Sequence, residues 1–248
     1  MKSLVKTIAV LMIFVGTHAQ ASLIGYWDAN GDAQDYTGSN DGTLNGDTSF
    51  VSGVYGSAFS FDGVGDSVYI APTLPVSSGL TMSAWINPTV LSSERMIFNN
   101  ESSYEMAVRN GTFQYAIETD APGGWFWVNT GLSVTANAWQ FFAVTFDGAS
   151  SKVFNELGQV VFSSNAITGN IIDPANSWVH IGARLSGTTS NFIGAIDEVY
   201  IFDSALESND VLNIANNAYF SEVSEPSTIA IVLLTMGGLI LRRKKSLI

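Results

Sequence analysis

The chain has 248 residues, no cysteine and a formal net charge of −12. The absence of cysteine excludes disulfide bonds, a lipid-modified cysteine and a cysteine nucleophile. Between Lys6 and Arg242, four basic residues stand against all 22 acidic residues, which gives this stretch a formal charge of −18. Such a charge makes nucleic acid and anionic lipid poor partners, and it leaves neutral glycans, cations and cationic partners open.

The first residues are typical of a secretory signal peptide. Two lysines precede an apolar stretch at residues 7–16, and Ala21 ends a small-x-small cleavage pattern. The apolar stretch is too short for a stable membrane span. We therefore expect residues 1–21 to be a signal peptide that is cleaved between Ala21 and Ser22.

Residues 22–223 are ample for one domain, and their pattern indicates β-structure. Runs of β-branched and aromatic residues alternate with turn clusters rich in Gly, Asn, Asp and Ser. About thirteen short strands and almost no helix predict a two-sheet antiparallel sandwich. The predicted strands are 23–27, 58–61, 67–71, 80–86, 96–99, 104–109, 113–118, 125–129, 140–146, 152–155, 159–162, 178–183 and 192–202.

One short helix is predicted near the end of this domain. Ser204 and Glu207 have the spacing of a capping box, with Ser204 as the N-cap and Glu207 at the third helical position. Val211, Leu212 and Ala215 would then pack the helix against the sandwich.

The tryptophans divide into two groups. Trp125 and Trp127 are two residues apart, so on a strand their rings share one face, where sugar rings could stack. Asn129 or Asp120 could supply hydrogen bonds to such a sugar, and the alternative is that both rings fill the core. Three further tryptophans lie in strand-like segments and are interpreted as core residues: Trp85, Trp139 and Trp178.

No constellation indicates catalysis. Glycoside hydrolysis needs two carboxyl groups at a controlled separation. Glu118 and Asp120 are followed by a proline rather than by a second glutamate, and Glu101 and Glu105 are four residues apart with no carboxylate between them. His180 lies in an apolar strand and is interpreted as structural. We therefore expect no catalytic residues and a protein that is not an enzyme.

The C-terminal segment, 224–248, has three parts. Ser224-Glu225-Pro226 precedes an apolar run at 228–241, and a basic cluster at 242–245 follows. As a helix, these 14 apolar residues would span about 21 Å, against about 30 Å for a bilayer core. The basic cluster would keep the C-terminus on the cytoplasmic side and leave the body outside.

This segment resembles the PEP-CTERM sorting signal, with Ser224 in place of the first proline of the Pro-Glu-Pro motif. The resemblance implies recognition by an exosortase-type processing enzyme and cleavage near the motif. The implied route is export through the inner membrane, transient anchoring by residues 228–241, and release to the cell surface or extracellular matrix of a Gram-negative-type bacterium.

The body resembles the LamG-like, concanavalin A-like jelly-roll domains. Six blocks in the family's order carry the resemblance: Leu23-Ile24-Gly25-Tyr26-Trp27, Asp35-Tyr36-Thr37-Gly38-Ser39-Asn40-Asp41-Gly42-Thr43-Leu44, Ala58-Phe59-Ser60-Phe61-Asp62-Gly63, Thr81-Met82-Ser83-Ala84-Trp85-Ile86, Trp139-Gln140-Phe141-Phe142-Ala143-Val144-Thr145 and Phe192-Ile193-Gly194-Ala195-Ile196-Asp197-Glu198-Val199-Tyr200-Ile201-Phe202. The family implies a jelly-roll sandwich, often with one bound Ca²⁺ and often with glycan or protein binding, although a fold does not determine a function.

A structural Ca²⁺ is expected on that basis. Asp197 lies in a strand that is apolar on both faces, so its carboxylate needs a partner. A cation bound also by Asp35 and Asn40 would serve, and calcium prefers such carboxylate and amide oxygens on turns. Arg184 or a set of backbone N–H groups are the alternatives.

These patterns together predict an exported, non-catalytic binding module. The leading hypothesis is a site for extracellular polysaccharide or envelope glycan at Trp125, Trp127 and Asn129, with no nucleic acid partner and with the membrane contacted only through residues 228–241. One alternative is a structural or adhesion protein of the extracellular matrix that contacts other proteins. A weaker one is a degenerate glycan hydrolase or lyase.

Overall fold

The structure is a computed structural model, and it describes residues 21–70, 74–122, 125, 127–172, 174, 178–185 and 187–219. The predicted signal-peptide residues before Ala21, the predicted sorting motif Ser224-Glu225-Pro226 and the apolar run 228–241 lie outside these ranges. In the ranges that are described, no helix has both the length and the apolar character needed to cross a bilayer.

The described chain is nearly all β, with 15 strands and one helix. The elements in chain order are β1 (Leu23–Trp27), β2 (Gly42–Asn45), β3 (Ser49–Ser52), β4 (Ser57–Phe61), β5 (Ser67–Ile70), β6 (Leu80–Pro88), β7 (Glu94–Asn100), β8 (Tyr104–Arg109), β9 (Thr112–Ile117), β10 (Trp127–Ser133), β11 (Gln140–Phe146), β12 (Ser151–Phe154), β13 (Val160–Ser164), β14 (Val179–Ile181), β15 (Gly194–Phe202) and α1 (Ser208–Ala215).

These strands form two antiparallel sheets, as expected for a jelly-roll sandwich. The eight-stranded sheet has the order β13-β12-β11-β6-β15-β4-β3, with β1 also paired to β15. The seven-stranded sheet has the order β10-β9-β8-β7-β14-β5-β2. Strands that are distant in sequence are therefore adjacent in space. In particular β15, the last strand, pairs with β1, β4 and β6.

The main core fills the space between the sheets. Strand alternation directs apolar side chains inward from both sheets. Phe113 on β9 and Phe142 on β11 illustrate the contact, with stacked rings whose centroids are 4.2 Å apart. The core also contains Trp27, Phe98 and Ile196, all fully buried.

A second apolar layer covers the outer face of the eight-stranded sheet. Phe141, Tyr200 and Phe202 project from this face and pack with Val211 and Ile214 of α1. This sheet is therefore buried on both faces, which explains why β15 is almost continuously apolar.

The predicted helix exists, but its start was wrong. α1 begins at Ser208, with Glu207 as the N-cap and with no capping hydrogen bond from a side chain. Ser204 is not the N-cap, because its carbonyl oxygen accepts a hydrogen bond from the Thr81 hydroxyl at 2.7 Å. Hydrogen bonds from Thr81 of β6 to the Ser204 carbonyl and from the Leu206 N–H to the Thr81 hydroxyl thus keep this segment outside the helix.

Two strands of the structure, β2 and β3, were not predicted from the sequence. Both have mostly exposed side chains and lie at sheet edges. Their Gly, Asn, Thr and Ser residues are typical of turns. Pairing with β5 and β4, rather than local propensity, makes them strands.

Candidate functional site

One row of side chains runs across the outer face of the seven-stranded sheet. In an antiparallel pair, directly opposed residues project from the same face. The register opposes Tyr69 to His180, His180 to Asn99 and Asn99 to Glu105, and the row continues through Ala116 to Trp127. Polar groups at its centre are thus flanked by aromatic side chains.

The centre of this row is buried, because the segment after β14 folds over it. Glu105, Asn99 and His180 are at most 1% exposed. Gly187 comes so close that a Cβ there would be 2.6 Å from the Ser67 hydroxyl oxygen and 3.5 Å from the His180 ring. Gly187 also has a φ of +78°, which favours glycine.

Arg184 pairs with the buried carboxyl groups under this segment. Its guanidinium donates to both oxygens of Glu101, each at 3.1 Å. It also lies 3.5 Å from Glu105 Oε1 and 3.8 Å from Glu94 Oε1. A bidentate pair of this kind fixes the guanidinium plane. Glu94 is bound more closely by Arg109, whose Nε lies 2.9 Å from Glu94 Oε2, so two arginines serve these three carboxyl groups.

Two of the buried groups titrate far from their ordinary values. Burial raises the pKa of Glu105 to about 8, against the opposing attraction of Arg184. Burial likewise lowers the pKa of His180 to about 4, so its imidazole is neutral at pH 7. Within the described residues, Glu105 Oε2 and both His180 ring nitrogens lack a hydrogen-bond partner.

An open cavity of about 360 Å³ lies beside this cluster. Its lining comes from the β7–β8 turn, the end of β9, the β9–β10 loop and the segments flanking β14. The described lining residues are Ser102, Glu118, Trp125, Ile172, Pro174 and Arg184. The volume is within the range of small-ligand sites, and the lining combines apolar surface with a few polar groups, as such sites do.

Of the three predicted glycan-binding residues, only Trp125 lines this cavity. Its ring lies edge-on to Trp127, with centroids 6.3 Å apart, so the structure does bring the two tryptophans together. The Arg109 guanidinium covers the Trp127 ring at 4.7 Å from its centroid. Asn129 is exposed, and its Oδ1 accepts the Gly131 N–H in a local turn at 3.0 Å.

The core interpretation of Trp178 was wrong. Its side chain is 48% exposed, and it stacks 6.5 Å from the His180 ring, with Tyr69 nearby. β14 has only three residues, and Trp178 precedes it on the outer face that His180 shares. Trp85 and Trp139 are partly buried, and Trp85 packs with the layer under α1.

Asp35 and Asn40 lie together, but their polar atoms already bind each other and the backbone. The Asp35 carboxylate accepts from the Tyr26 and Asn40 backbone N–H groups, from the Thr37 backbone and hydroxyl, and from the Asn40 amide. Burial alone would raise the pKa of Asp35, but hydrogen bonds from Thr37, Tyr26 and Asn40 hold it below its ordinary value. The amide of Asn40 also donates to the carbonyl of Ile24 at 2.9 Å.

Asp197 lies at a break in the sheet. β15 pairs with β4 before this residue and with β1 after Glu198, which has a φ of +52°. Asp197 Oδ2 accepts the backbone N–H groups of Val54 and Tyr55 at 2.8 and 3.1 Å. Backbone N–H groups, one of the two alternatives to a cation, therefore bind this oxygen. Arg184, the other alternative, binds Glu101 instead.

The other oxygens at this break have no such partner. Asp197 Oδ1 and Glu198 Oε1 are buried and lack a hydrogen-bond partner among the described residues. Burial raises the pKa of Asp197 to about 6 and that of Glu198 to about 7, and the charge of Asp28 adds to both shifts. Glu198 Oε2 accepts hydrogen bonds from the Tyr26 and Tyr200 hydroxyls.

A third acidic group was not anticipated. Oxygens of Asp47, Asp62 and Asp66 lie within 4.8 Å of one another. Asp66 is buried, and its two oxygens accept the backbone N–H groups of the other two residues at 2.8 Å each. These two hydrogen bonds hold the turns at Asp47 and Asp62, and they explain why the three carboxyl groups lie close together.

Comparison with known proteins identifies the family. A family model described as the concanavalin A-like lectin/glucanases superfamily (Laminin_G_3) matches residues 61–212. The chain belongs to this superfamily. No curated protein has significant sequence similarity to it.

Solved structures show the same fold. Domain 4 of AbnA, an extracellular GH43 arabinanase from Geobacillus stearothermophilus solved with arabinotriose, is 22% identical, with 79% of this chain and 98% of that domain covered at a TM-score of 0.66. The binding domain of Paraclostridial Mosquitocidal Protein 1 is 18% identical, with coverages of 79% and 52% and a TM-score of 0.63. The binding domain of botulinum neurotoxin serotype D is 16% identical, with the same coverages and a TM-score of 0.59. At these identities the similarity shows the fold alone.

Replacing Glu105 with glutamine tests the buried cluster. Its folded pKa of about 8 lies above the ordinary value of 4.5, so the folded state binds the extra proton and stability falls as pH rises between those values. The Glu105→Gln variant should therefore be more stable than wild type by a few kcal/mol at pH 8.5 and nearly equal to it at pH 5, measured by urea unfolding. Glu156→Gln on an exposed turn is the control and should show no such trend. Equal destabilisation of Glu105→Gln at both pH values would contradict the assignment.

Proposed function

We propose that the protein is an exported, non-catalytic binding module that binds extracellular polysaccharide or envelope glycan. The observation that carries the proposal is the cavity lined by Trp125 and Glu118. An indole ring offers an apolar plane to the C–H face of a sugar, and the adjacent carboxylate offers hydrogen-bond acceptors to its hydroxyls. The arabinotriose in the related arabinanase domain supports a carbohydrate ligand for this fold.

The carboxyl groups near the cavity support binding rather than hydrolysis. Glu105 is fully buried, and Glu101 is held in a bidentate pair by Arg184. Among the described lining residues, Glu118 is the single carboxyl group. A glycosidase needs two carboxyl groups facing one bond, so a second one open to the cavity is missing from this set.

Calcium remains part of the proposal, at a different set of oxygens. Asp197 Oδ1 and Glu198 Oε1 are buried oxygens that lack hydrogen-bond partners within the described ranges, as a cation site requires. Asp28 is close enough for its charge to act on both residues. These groups fit Ca²⁺ better than Asp35, whose oxygens accept at least five hydrogen bonds. When bound, the ion would neutralise the carboxylates of Asp197 and Glu198 at the break in β15 and stabilise the fold.

Export and sorting complete the proposal. The Ser22 backbone nitrogen lies 3.0 Å from Asp203 Oδ1, and the Asp203 N–H donates to the Ser22 carbonyl oxygen at 3.1 Å. Cleavage after Ala21 would turn this nitrogen into an ammonium group that pairs with Asp203. The sorting motif would then direct release from the membrane by an exosortase-type enzyme.

Mutation of Trp125 tests the glycan site. In a glycan-array or calorimetric assay, Trp125→Ala should lose about tenfold or more in affinity, because an indole contact is removed. Trp127→Ala should lose less, since Arg109 covers that ring, and Trp139→Ala should bind as wild type. Loss of affinity in Trp139→Ala alone would contradict the assignment.

The same assays separate the two alternative functions. Binding to protein partners, with no binding to any glycan, would favour the adhesion alternative. Turnover of a glycan that is abolished by Glu118→Gln would favour the hydrolase or lyase.

Chelation tests the calcium site. With calcium at about 100 times its dissociation constant, a chelator should lower the melting temperature by about 5–10 °C. Asp197→Asn should abolish this difference, whereas Asp35→Asn should reduce stability and retain it. Loss of the difference in Asp35→Asn alone would restore the ligand set Asp35, Asn40 and Asp197. An unchanged melting temperature would exclude a structural calcium ion.

Mass spectrometry of the exported protein tests the sorting proposal. The mature chain should begin at Ser22 and end near Pro226, because both terminal signals would have been removed. A chain that retains residues 1–21 or 228–241 after release would contradict it. Asp203→Asn should lower the melting temperature of the mature chain slightly, through loss of the pair with the new ammonium group.

A further inference from the structure

We infer that the cavity selects glycans that carry a free ammonium group, such as a partly N-deacetylated amino-sugar polymer. This inference rests on the proposed glycan-binding function and specifies its ligand class. It depends on three properties of the cavity: a cation whose charge is already neutralised, a carboxylate without a partner, and an aromatic ring beside it.

Arg184 is the single basic residue among the described lining residues, and it has no charge to offer a ligand. Both oxygens of Glu101 accept from it, and Glu94 and Glu105 lie within 3.8 Å of it. A ligand carboxylate would have to compete with a preformed bidentate pair. Uronic acids and other acidic sugars are therefore disfavoured.

Glu118, in contrast to Arg184, has a side chain that is available to a ligand. Its side chain lines the cavity and has no hydrogen-bond or ion-pair partner in the described part of the chain. Its backbone is held firmly, since its N–H donates to the Ser103 carbonyl oxygen at 2.7 Å and its carbonyl accepts from Ile172 at 3.0 Å. A positioned carboxylate is therefore free to accept hydrogen bonds from a ligand cation.

Trp125 lines the same cavity and suits the same ligand. An indole face attracts a cation through its quadrupole, and it also packs against the C–H face of a sugar ring. Arg109 already covers the neighbouring Trp127 ring, which shows that a cation is accommodated at this surface. An amino sugar would present its ring to Trp125 and its ammonium group to Glu118.

The charge of the whole domain acts in the same direction. The stretch between Lys6 and Arg242 has a formal charge of −18. Such a field attracts a polycation and repels a polyanion, with a range of about 10 Å at 0.1 M salt. This long-range attraction acts on any polycation. The contacts in the cavity would then select a specific cationic glycan.

Calorimetry with three short oligosaccharides separates these effects. The probes are tetramers of glucosamine, N-acetylglucosamine and galacturonic acid, used at about pH 6 in 0.15 M salt with the mature domain. We expect the glucosamine tetramer to bind most tightly and the galacturonic acid tetramer most weakly. Glu118→Gln should weaken glucosamine binding by about five- to tenfold and leave N-acetylglucosamine binding unchanged.

Two controls match this change. Glu156→Gln removes the same charge from an exposed turn of the eight-stranded sheet and should leave all three affinities unchanged. Trp125→Ala should weaken both the glucosamine and the N-acetylglucosamine tetramers, which confirms that both occupy this cavity.

The outcomes separate the inference from the function on which it rests. Equal affinity for glucosamine and N-acetylglucosamine, or an equal loss in Glu118→Gln and Glu156→Gln, would overturn the inference while the glycan-binding function stands. Tighter binding of galacturonic acid would overturn it also. Failure of every glycan to bind wild type would instead overturn the proposed function.

Discussion

The eight-stranded sheet buries apolar side chains on both faces, against the seven-stranded sheet on one side and α1 on the other. This double burial limits where a ligand can bind. The outer face and strand ends of the seven-stranded sheet remain for polar chemistry, and the cavity of Trp125 and Glu118 lies there.

Buried charge is handled in two different ways in this fold. On the seven-stranded sheet, Arg184 pairs with Glu101 and Glu105 while Arg109 pairs with Glu94, so a costly set of three carboxyl groups shares two cations. At the break in β15, backbone N–H groups satisfy one Asp197 oxygen and leave another without a partner. In the first arrangement the charge of Arg184 is neutralised within the protein, so Glu118 makes the cavity acidic. The second leaves room for an added cation.

Much of the fold could be predicted from sequence because alternation and turn composition are local signals. The sandwich, the strands with strong apolar alternation and the existence of α1 are confirmed by the structure. β2 and β3 could not be recognised, since their residues favour turns and only pairing makes them strands. α1 does not begin after Ser204, because a hydrogen bond from Thr81, 123 positions earlier, keeps that segment outside the helix.

The site was less predictable. Trp125 was a candidate from its spacing to Trp127, but spacing does not reveal that Arg109 covers one ring and a cavity exposes the other. The strand-like setting of Trp178 indicated the core, whereas its position just before a three-residue strand places it on the outer face. Tertiary neighbours make these distinctions, and no local pattern encodes them.

The sequence by itself determined the family, the two-sheet architecture and the strong negative charge of the domain, because these depend on composition and on periodicity along the chain. It also predicted export and sorting from the two terminal signals. Only the tertiary structure decided which carboxyl groups are paired and which are free. Arg184 meets Glu94, Glu101 and Glu105 across three segments, and Glu118 has no partner at the cavity among the described residues. Charge neutralisation depends on distances of a few ångströms between residues far apart in the chain, and those distances exist only after folding.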